Sequence, residues 1–447
     1  MFPELNKPIS QLSRRLKFAL SGSILVVALS ACAAAQTVVP KEKIPADAPP
    51  EVKGLIEQLY VSNPVYLART ASSLGTLAAL GKDATASIPF LVGILYDDRP
   101  LKIVTSYGGM QLCSPNPQIP CPISGEPTTA GRQAAAALSR FGEPALQPLL
   151  QALRTGLPSR DDRKSSYVQE TAVYALGLMK DKRAADELLQ AVNESSGLPV
   201  RLGALTALGE LGDHRATEPL LQIVGGRDQG AKLTAAQALV NMGKPRPMQQ
   251  LFVLLKDEDH LTEQAAAYAL GQIGVADKDE TVIAPLILKL GSQYVVREVA
   301  ARYLFQMARK YKLAEVEDPA LVDLLITNLK SQDRRVAAAA AYLLGSMRVR
   351  RAVPALVEAA WSDQRGWRQN TDEDVSKSAG TALYFIKDPA AVDSLIDLAR
   401  KKNCGFDDGC SAIFETLFTI TGVTLHSAVE WQRWWLRNRR SYLAGSR

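Results

Sequence analysis

The sequence predicts an all-α fold, an α-solenoid of about ten two-helix repeats. Three observations predict it. In the clearest copy, apolar or small residues fall at Val200, Ala204, Ala207, Leu208 and Leu211, offsets zero, +4, +7, +8 and +11. That is the 3.6-residue spacing of one buried helix face. The leucine at +8 recurs, and from Leu138 onward successive anchors lie 31 to 40 residues apart, a period that fits two short helices per unit. Glycine and proline punctuate the copies where helices end and begin.

The chain opens with a segment of another kind. Residues 1–31 read as a secretion signal, with Arg14, Arg15 and Lys17 ahead of an apolar run of 14 residues, Phe18 to Ala31. A membrane-spanning helix needs roughly 20 residues, whereas a signal needs about 7–15. The run ends Leu29-Ser30-Ala31-Cys32, which resembles a bacterial lipobox. That resemblance implies lipidation of Cys32 on sulfur and a new N-terminus there. An ordinary cut after Ala33 or Ala35 is the alternative. Ser13-Arg14-Arg15 is similar to a twin-arginine signal but lacks the Phe-Leu-Lys order that should follow. Ala33 stands where inner-membrane lipoproteins carry Asp, which implies an outer-membrane anchor in a Gram-negative host. Residues 32–50, with Pro40, Pro45, Pro49 and Pro50, predict an extended tether.

The solenoid is expected over residues 51–425. Thr76, Leu77 and Leu80 form a degraded first copy, and Ala130, Ala134, Ala137, Leu138 and Phe141 the second. The clear copies then start at Val168, Val200, Ala231, Thr262, Val296, Val336 and Val375. Ile413, Leu417 and Ile420 form a degraded last copy. Gly81, Gly142, Gly212, Gly243 and Gly274 suit the left-handed position after a helix. Pro89, Pro148, Pro219, Pro285 and Pro354 suit the first turn of the next one. Residues 426–447 change character, with Trp431, Trp434 and Trp435 followed by Arg437, Arg439 and Arg440. A terminal repeat has an unpartnered apolar flank, so this stretch predicts a cap helix. A membrane-surface helix with basic and tryptophan faces is the alternative.

The phrase Ala207-Leu208-Gly209-Glu210-Leu211-Gly212-Asp213-His214-Arg215-Ala216 resembles the signature of HEAT repeats, in particular the short variety named after phycobilin lyases. Ala175-Leu176-Gly177-Leu178-Met179-Lys180-Asp181-Lys182-Arg183-Ala184 is a second good match. The resemblance implies a HEAT-like superhelix whose second helices line the concave side. It says little of function, because such repeats serve many tasks.

Composition narrows the partner. The formal charge of +6 falls to about +3 without residues 1–31, too weak to predict nucleic-acid binding. Three histidines scattered over the chain offer no metal cluster and no catalytic base, and no phosphate loop or serine elbow is present. The expectation is therefore no enzyme and no cofactor. Four cysteines besides Cys32 form two local pairs, Cys113 with Cys121 and Cys404 with Cys410. An exported chain can keep them as disulfides; zinc would want closer spacing and histidine. Both pairs fall in expanded turns within repeats (97–129, 157–166, 361–374 and 402–410), on what should be one edge of the solenoid. Such insertions often mark a binding surface.

Positions +2, +6 and +9 of each second helix point away from the buried stripe. They comprise Glu170 and Tyr174; Leu202 and Thr206; Leu233 and Gln237; Gln264 and Tyr268; Glu298 and Arg302; Ala338 and Tyr342; Lys377, Thr381 and Tyr384. Mixed charge with recurring tyrosine suits a protein or peptide surface, making Tyr174, Tyr268, Arg302, Tyr342 and Tyr384 the candidate partner-binding residues. Packing of the tyrosines between adjacent helices is the alternative. The expected function is an exported, lipid-anchored scaffold in the cell envelope, an outer-membrane lipoprotein facing the periplasm or the cell surface. A bilin lyase-like enzyme handling a tetrapyrrole is the rival that the resemblance implies.

Overall fold

The computed structural model describes residues 39–101, 129–156, 162–194, 197–314, 318–361, 375–402, 404 and 411–445. The signal segment with Cys32, and also Cys113, Cys121 and Cys410, lie outside the described residues. The described residues hold twenty-one α-helices, several led by a 3-10 turn, and no β-strand. Contacts group the chain into two compact units, residues 1–216 and 217–447.

In the first unit the helices are α1 (Pro50–Gln58), α2 (Pro64–Ala79), α3 (Ile88–Val92), α4 (Ala130–Ser139), α5 (Glu143–Thr155), α6 (Asp162–Met179), α7 (Ala185–Glu194) and α8 (Leu198–Leu211). The second unit begins with α9 (Thr217–Val224), α10 (Lys232–Asn241), α11 (Met248–Leu254), α12 (His260–Asp277), α13 (Ile283–Leu288) and α14 (Tyr294–Lys310). It continues with α15 (Pro319–Asn328), α16 (Arg334–Ser346), α17 (Val353–Trp361), α18 (Val375–Ile386), α19 (Pro389–Lys401), α20 (Ser411–Thr421) and α21 (Ala428–Gly445). Odd-numbered helices are the first and even-numbered the second of each pair, ten pairs before α21. Each unit is a two-layer stack in which second helices pack on second helices and first on first.

The predicted stripe is the core. In the eight clear copies no residue at +4 or +8 is more than 1% exposed. Small residues bring the second helices close. A Cβ placed on Gly177 would sit 3.1 Å from that of Ala207, and one on Gly345 only 2.4 Å from the Cα of Ala382. In both cases a glycine at +9 meets the +7 residue of the next copy. Gly271 meets the ring of Tyr303, the aromatic that replaces alanine at +7.

The turns between repeats have a compact chemistry. A residue in the left-handed region ends the second helix, and an aspartate then caps the first helix of the next repeat. Gly212 (φ 61°) precedes Asp213, whose carboxylate accepts from the Arg215 backbone N–H at 3.0 Å. Lys180 (φ 54°) precedes Asp181, which accepts from the Arg183 N–H at 2.9 Å. The Arg183 side chain then spans its own cap at 2.7 Å and Glu143 of the previous first helix at 2.8 Å. Arg215 repeats the pattern with Asp213 and Asp186. The arginines stay exposed to solvent, so these pairs fix register more than they stabilise. A buried charge is also held in the second unit. The Lys232 ammonium donates to the Val224 carbonyl (3.0 Å), the Gly226 carbonyl and Thr262 Oγ1 (2.7 Å), and pairs with Asp259 at 3.0 Å. The Lys232 ammonium, with the hydroxyl and backbone N–H of Thr262, holds the Asp259 carboxyl down at about 2.

Four expectations need correction. The first copy is shifted by three residues: its anchor is the buried Leu74, and Leu80 is 64% exposed. In that register Gly75 stands at +9 and meets Ala137 at +7, as elsewhere. Gly274 does not end its helix; it packs under Val282 and Met307, and the left-handed residue is Lys278 at φ 55°. Pro148 lies inside α5, whose first turn already holds Pro144. The tether is not extended throughout. Residues Lys41–Lys43 form a 3-10 turn, Tyr60 donates its hydroxyl to the Val39 carbonyl at 2.6 Å, and Lys41 lies over the Tyr60 ring.

The glycine contacts yield a paired test. Gly345→Ala should cost about 1–3 kcal/mol through overpacking against Ala382. Gly54→Ala, in α1 with nothing within 4 Å of the added Cβ, should be neutral or gain roughly 0.5–1 kcal/mol. Thermal unfolding of both variants checks it; equal effects would show that close helix approach does not limit stability.

Candidate functional site

The outward face of the second helices carries residues such as those at +2 and +6, which leave the helix away from the buried stripe. In the first unit it is a bonded ladder. Thr129, the cap of α4, shares a 2.6 Å hydrogen bond with the Tyr167 hydroxyl. Arg132 pairs with Glu170 at 3.0 Å and lies 5.8 Å over the ring of Tyr174. Lys180 pairs with Glu210 at 3.1 Å. Burial raises the Tyr167 phenol above its ordinary range, against its bond to Thr129. Tyr174 itself remains 43% exposed.

In the second unit the ladder is more aromatic. The Tyr268 hydroxyl donates to Gln237 Oε1, and Gln272 donates to the same oxygen at 2.8 Å. Tyr268 meets the edge of Tyr303 with centroids 5.9 Å apart. Burial pushes the Tyr303 phenol up to about 12; the Tyr268 phenol adds to this and a hydrogen bond with Gln272 opposes it. Arg302 is exposed and pairs with Glu298 at 3.0 Å, an acid also bonded by Arg335. Tyr342 is half-buried against Phe305, centroids 4.7 Å apart. Tyr384 is 44% exposed and leans on Phe385.

The five candidates therefore separate. Tyr174, Arg302 and Tyr384 reach solvent, whereas Tyr268 and Tyr342 are half-buried in contacts between neighbouring second helices. Ala338, expected on the face, is fully buried because α16 is apolar nearly all round. The +9 position faces outward only where it is large. Glycine there packs against the next helix, while Tyr384 and Phe418 project, the latter 50% exposed. Phe385 and Phe418 are face residues that offset counting passed over. The signal that would have found them is an aromatic in or beside the slot where other copies carry glycine.

Cys404 is buried and disulfide-bonded. Every other cysteine lies outside the described residues, and so does its partner. Among the described residues no group of His, Cys, Asp and Glu could hold a metal ion. No helix among them is long and apolar enough to cross a membrane.

Residues 157–239 and 217–304 match the family described as HEAT repeats. A search of curated proteins found no match. Among solved structures, the chain is similar to an engineered protein with TM-score 0.38 and 20% identity, over 83% of this chain and 98% of that one. It is similar to a Kap121p mutant with TM-score 0.49 and 16% identity, over 91% of this chain and 45% of that one. Kap95p, solved with RanGDP, is similar with TM-score 0.44 and 15% identity, over 92% of this chain and 59% of that one. The chain thus spans less than half the length of Kap121p.

The elevated Tyr303 phenol gives a pH test with a definite sign. Unfolded tyrosine titrates near ~10, so between about pH 10 and 12 the folded state binds more protons and stability falls as pH rises. Tyr303→Phe keeps the ring over Gly271 and removes that proton. Urea unfolding across this range should show a shallower alkaline loss in the variant than in the parent. Parallel curves would mean Tyr303 titrates alike in both states.

Proposed function

We propose that this chain is an exported, lipid-anchored HEAT-repeat scaffold that binds a protein or peptide partner in the bacterial cell envelope. The observation that carries the binding role is the exposed aromatic and aliphatic set that each unit, taken by itself, carries on its second helices. Tyr174 and Leu178 lie on α6, Leu233 on α10, Tyr384 and Phe385 on α18 and Phe418 on α20, all exposed. They stand among paired charges such as Arg132–Glu170 and Arg302–Glu298. Rigid aromatic anchors within a polar surround are what protein interfaces use. Among the described residues Arg132, Lys180 and Arg302 are each paired with an acid, whereas nucleic acid favours unpaired cations.

The envelope address rests on the sequence of residues 1–32, with its basic start, short apolar run and Cys32. The same address suits a bonded Cys404, which in our reading pairs with Cys410 across the turn between α19 and α20. The role is one of binding and positioning, without chemistry of its own.

Two experiments test the parts separately. Cys32→Ala should leave the chain unprocessed or in the soluble periplasm, read by fractionation and mass of the mature N-terminus. Outer-membrane retention with unchanged processing would end the lipid-anchor reading. Crosslinked capture from envelope fractions tests the face. Tyr174→Ala and Tyr384→Ala should each weaken capture by at least about tenfold if they are anchors. Val253→Ala, an exposed site on the first helix α11, should leave it unchanged. Capture indifferent to both tyrosines would move the binding surface elsewhere.

A further inference from the structure

Helix α21 has two faces of opposite chemistry. Its inner face packs on α19. Trp431 is fully buried and donates its indole N–H to the Leu425 carbonyl at 3.0 Å; Trp435 donates to Asp393 at 2.6 Å. Arg439 also turns inward, to Asp393 at 2.8 Å. Trp431 and Trp435 are thus used up within the stack, and Arg439, though exposed, has its charge paired.

The outer face carries Val429, Arg433, Leu436, Arg437 and Arg440, all exposed and spaced as one helical stripe. Leu436 is 75% exposed, the highest value for a large apolar side chain among the described residues. Arg433, Arg437 and Arg440 make no ion pair among the described residues, in contrast to Arg439. Glu430, the helix's one acid, is turned back onto the His426 N–H at 3.1 Å. Like charges three and four residues apart oppose helix formation, and a protruding leucine gains nothing from water. Neither feature serves the fold.

We propose that this outer stripe of α21 docks on an anionic phospholipid surface, with Leu436 entering the acyl boundary and the three arginines engaging headgroup phosphates. Cationic side chains flanking a protruding apolar one are what an interfacial helix requires. A soluble polyanion would use the arginines and leave Leu436 without a function, which favours the bilayer. The inference does not depend on lipidation at Cys32.

The test reads position 436 itself, so attachment of the vesicle by the N-terminal segment does not enter. The full chain carrying Leu436→p-benzoylphenylalanine is irradiated with phosphatidylcholine vesicles, with and without phosphatidylglycerol, and lipid adducts are counted by mass. Adducts should require phosphatidylglycerol, fall as salt rises, and drop on the order of 100-fold when Arg433→Gln, Arg437→Gln and Arg440→Gln are combined. An unchanged thermal unfolding curve would show that the triple variant is folded. Equal adducts without phosphatidylglycerol, or adducts indifferent to the arginines, would overturn the proposal. So would arginine-dependent binding of inorganic polyphosphate with no lipid adduct, which would assign the stripe to a soluble polyanion.

Discussion

The close approach of successive second helices is the constraint on which the remaining structure depends. It is set by one contact, the residue at +9 of a copy against the residue at +7 of the next. With glycine and alanine in those slots, as at Gly177–Ala207 and Gly345–Ala382, the backbones themselves come near contact. Once they do, each helix can rotate little about its axis, because any turn would drive a Cβ into a neighbouring backbone. The outward face follows from that rotational lock. Residues at +6 must point to solvent or into the seam between helices, and size decides which.

Exceptions to the small-residue rule show what the constraint permits. Tyr303 occupies a +7 slot, and its ring lies on Gly271 because that partner has no side chain. The phenol is then drawn into the seam, where Tyr268 and Gln272 meet it. Lys232 is a second exception. Its ammonium is buried, yet two backbone carbonyls, Thr262 and Asp259 surround it. Burial of a charge is tolerable only when its donors are satisfied in this way. The same ammonium thereby ties α10 to Thr262 and Asp259 at the start of α12.

The fold was legible because a 3.6-residue stripe at fixed offsets repeats often enough to average out single departures. The first copy failed for a physical reason. Leu74, Leu77 and Leu80 recur every three residues, so a stripe count cannot choose among them, while Gly75 against Ala137 can. Gly274 was misplaced because a glycine late in a helix has two uses, ending it or admitting a neighbour, and only the Met307 contact decides. The candidate site was legible in outline alone. Offsets give the direction in which a side chain leaves the helix, but exposure depends on the adjacent copy. Tyr174 and Tyr268 share the +6 offset, yet Tyr268 has Gln237 and Tyr303 to bond and becomes half-buried.

In a repeat protein the regular positions build the stack, and capacity to bind must come from departures at positions the stack does not need. The +9 slot illustrates this within the second unit. Where Gly345 fills it, the next helix packs directly against the backbone. Where Phe305 fills it, the ring is taken up by Tyr342 of the following copy. At Tyr384 and Phe418 the aromatic projects into solvent. These two lie in the last two helix pairs, beside the helix whose inner tryptophans cover α19 and whose outer arginines face away from it. At these two positions the ring leaves the seam between second helices, so its size does not limit how closely they pack. Large side chains can stand at such positions without disturbing the register of the helices that carry them.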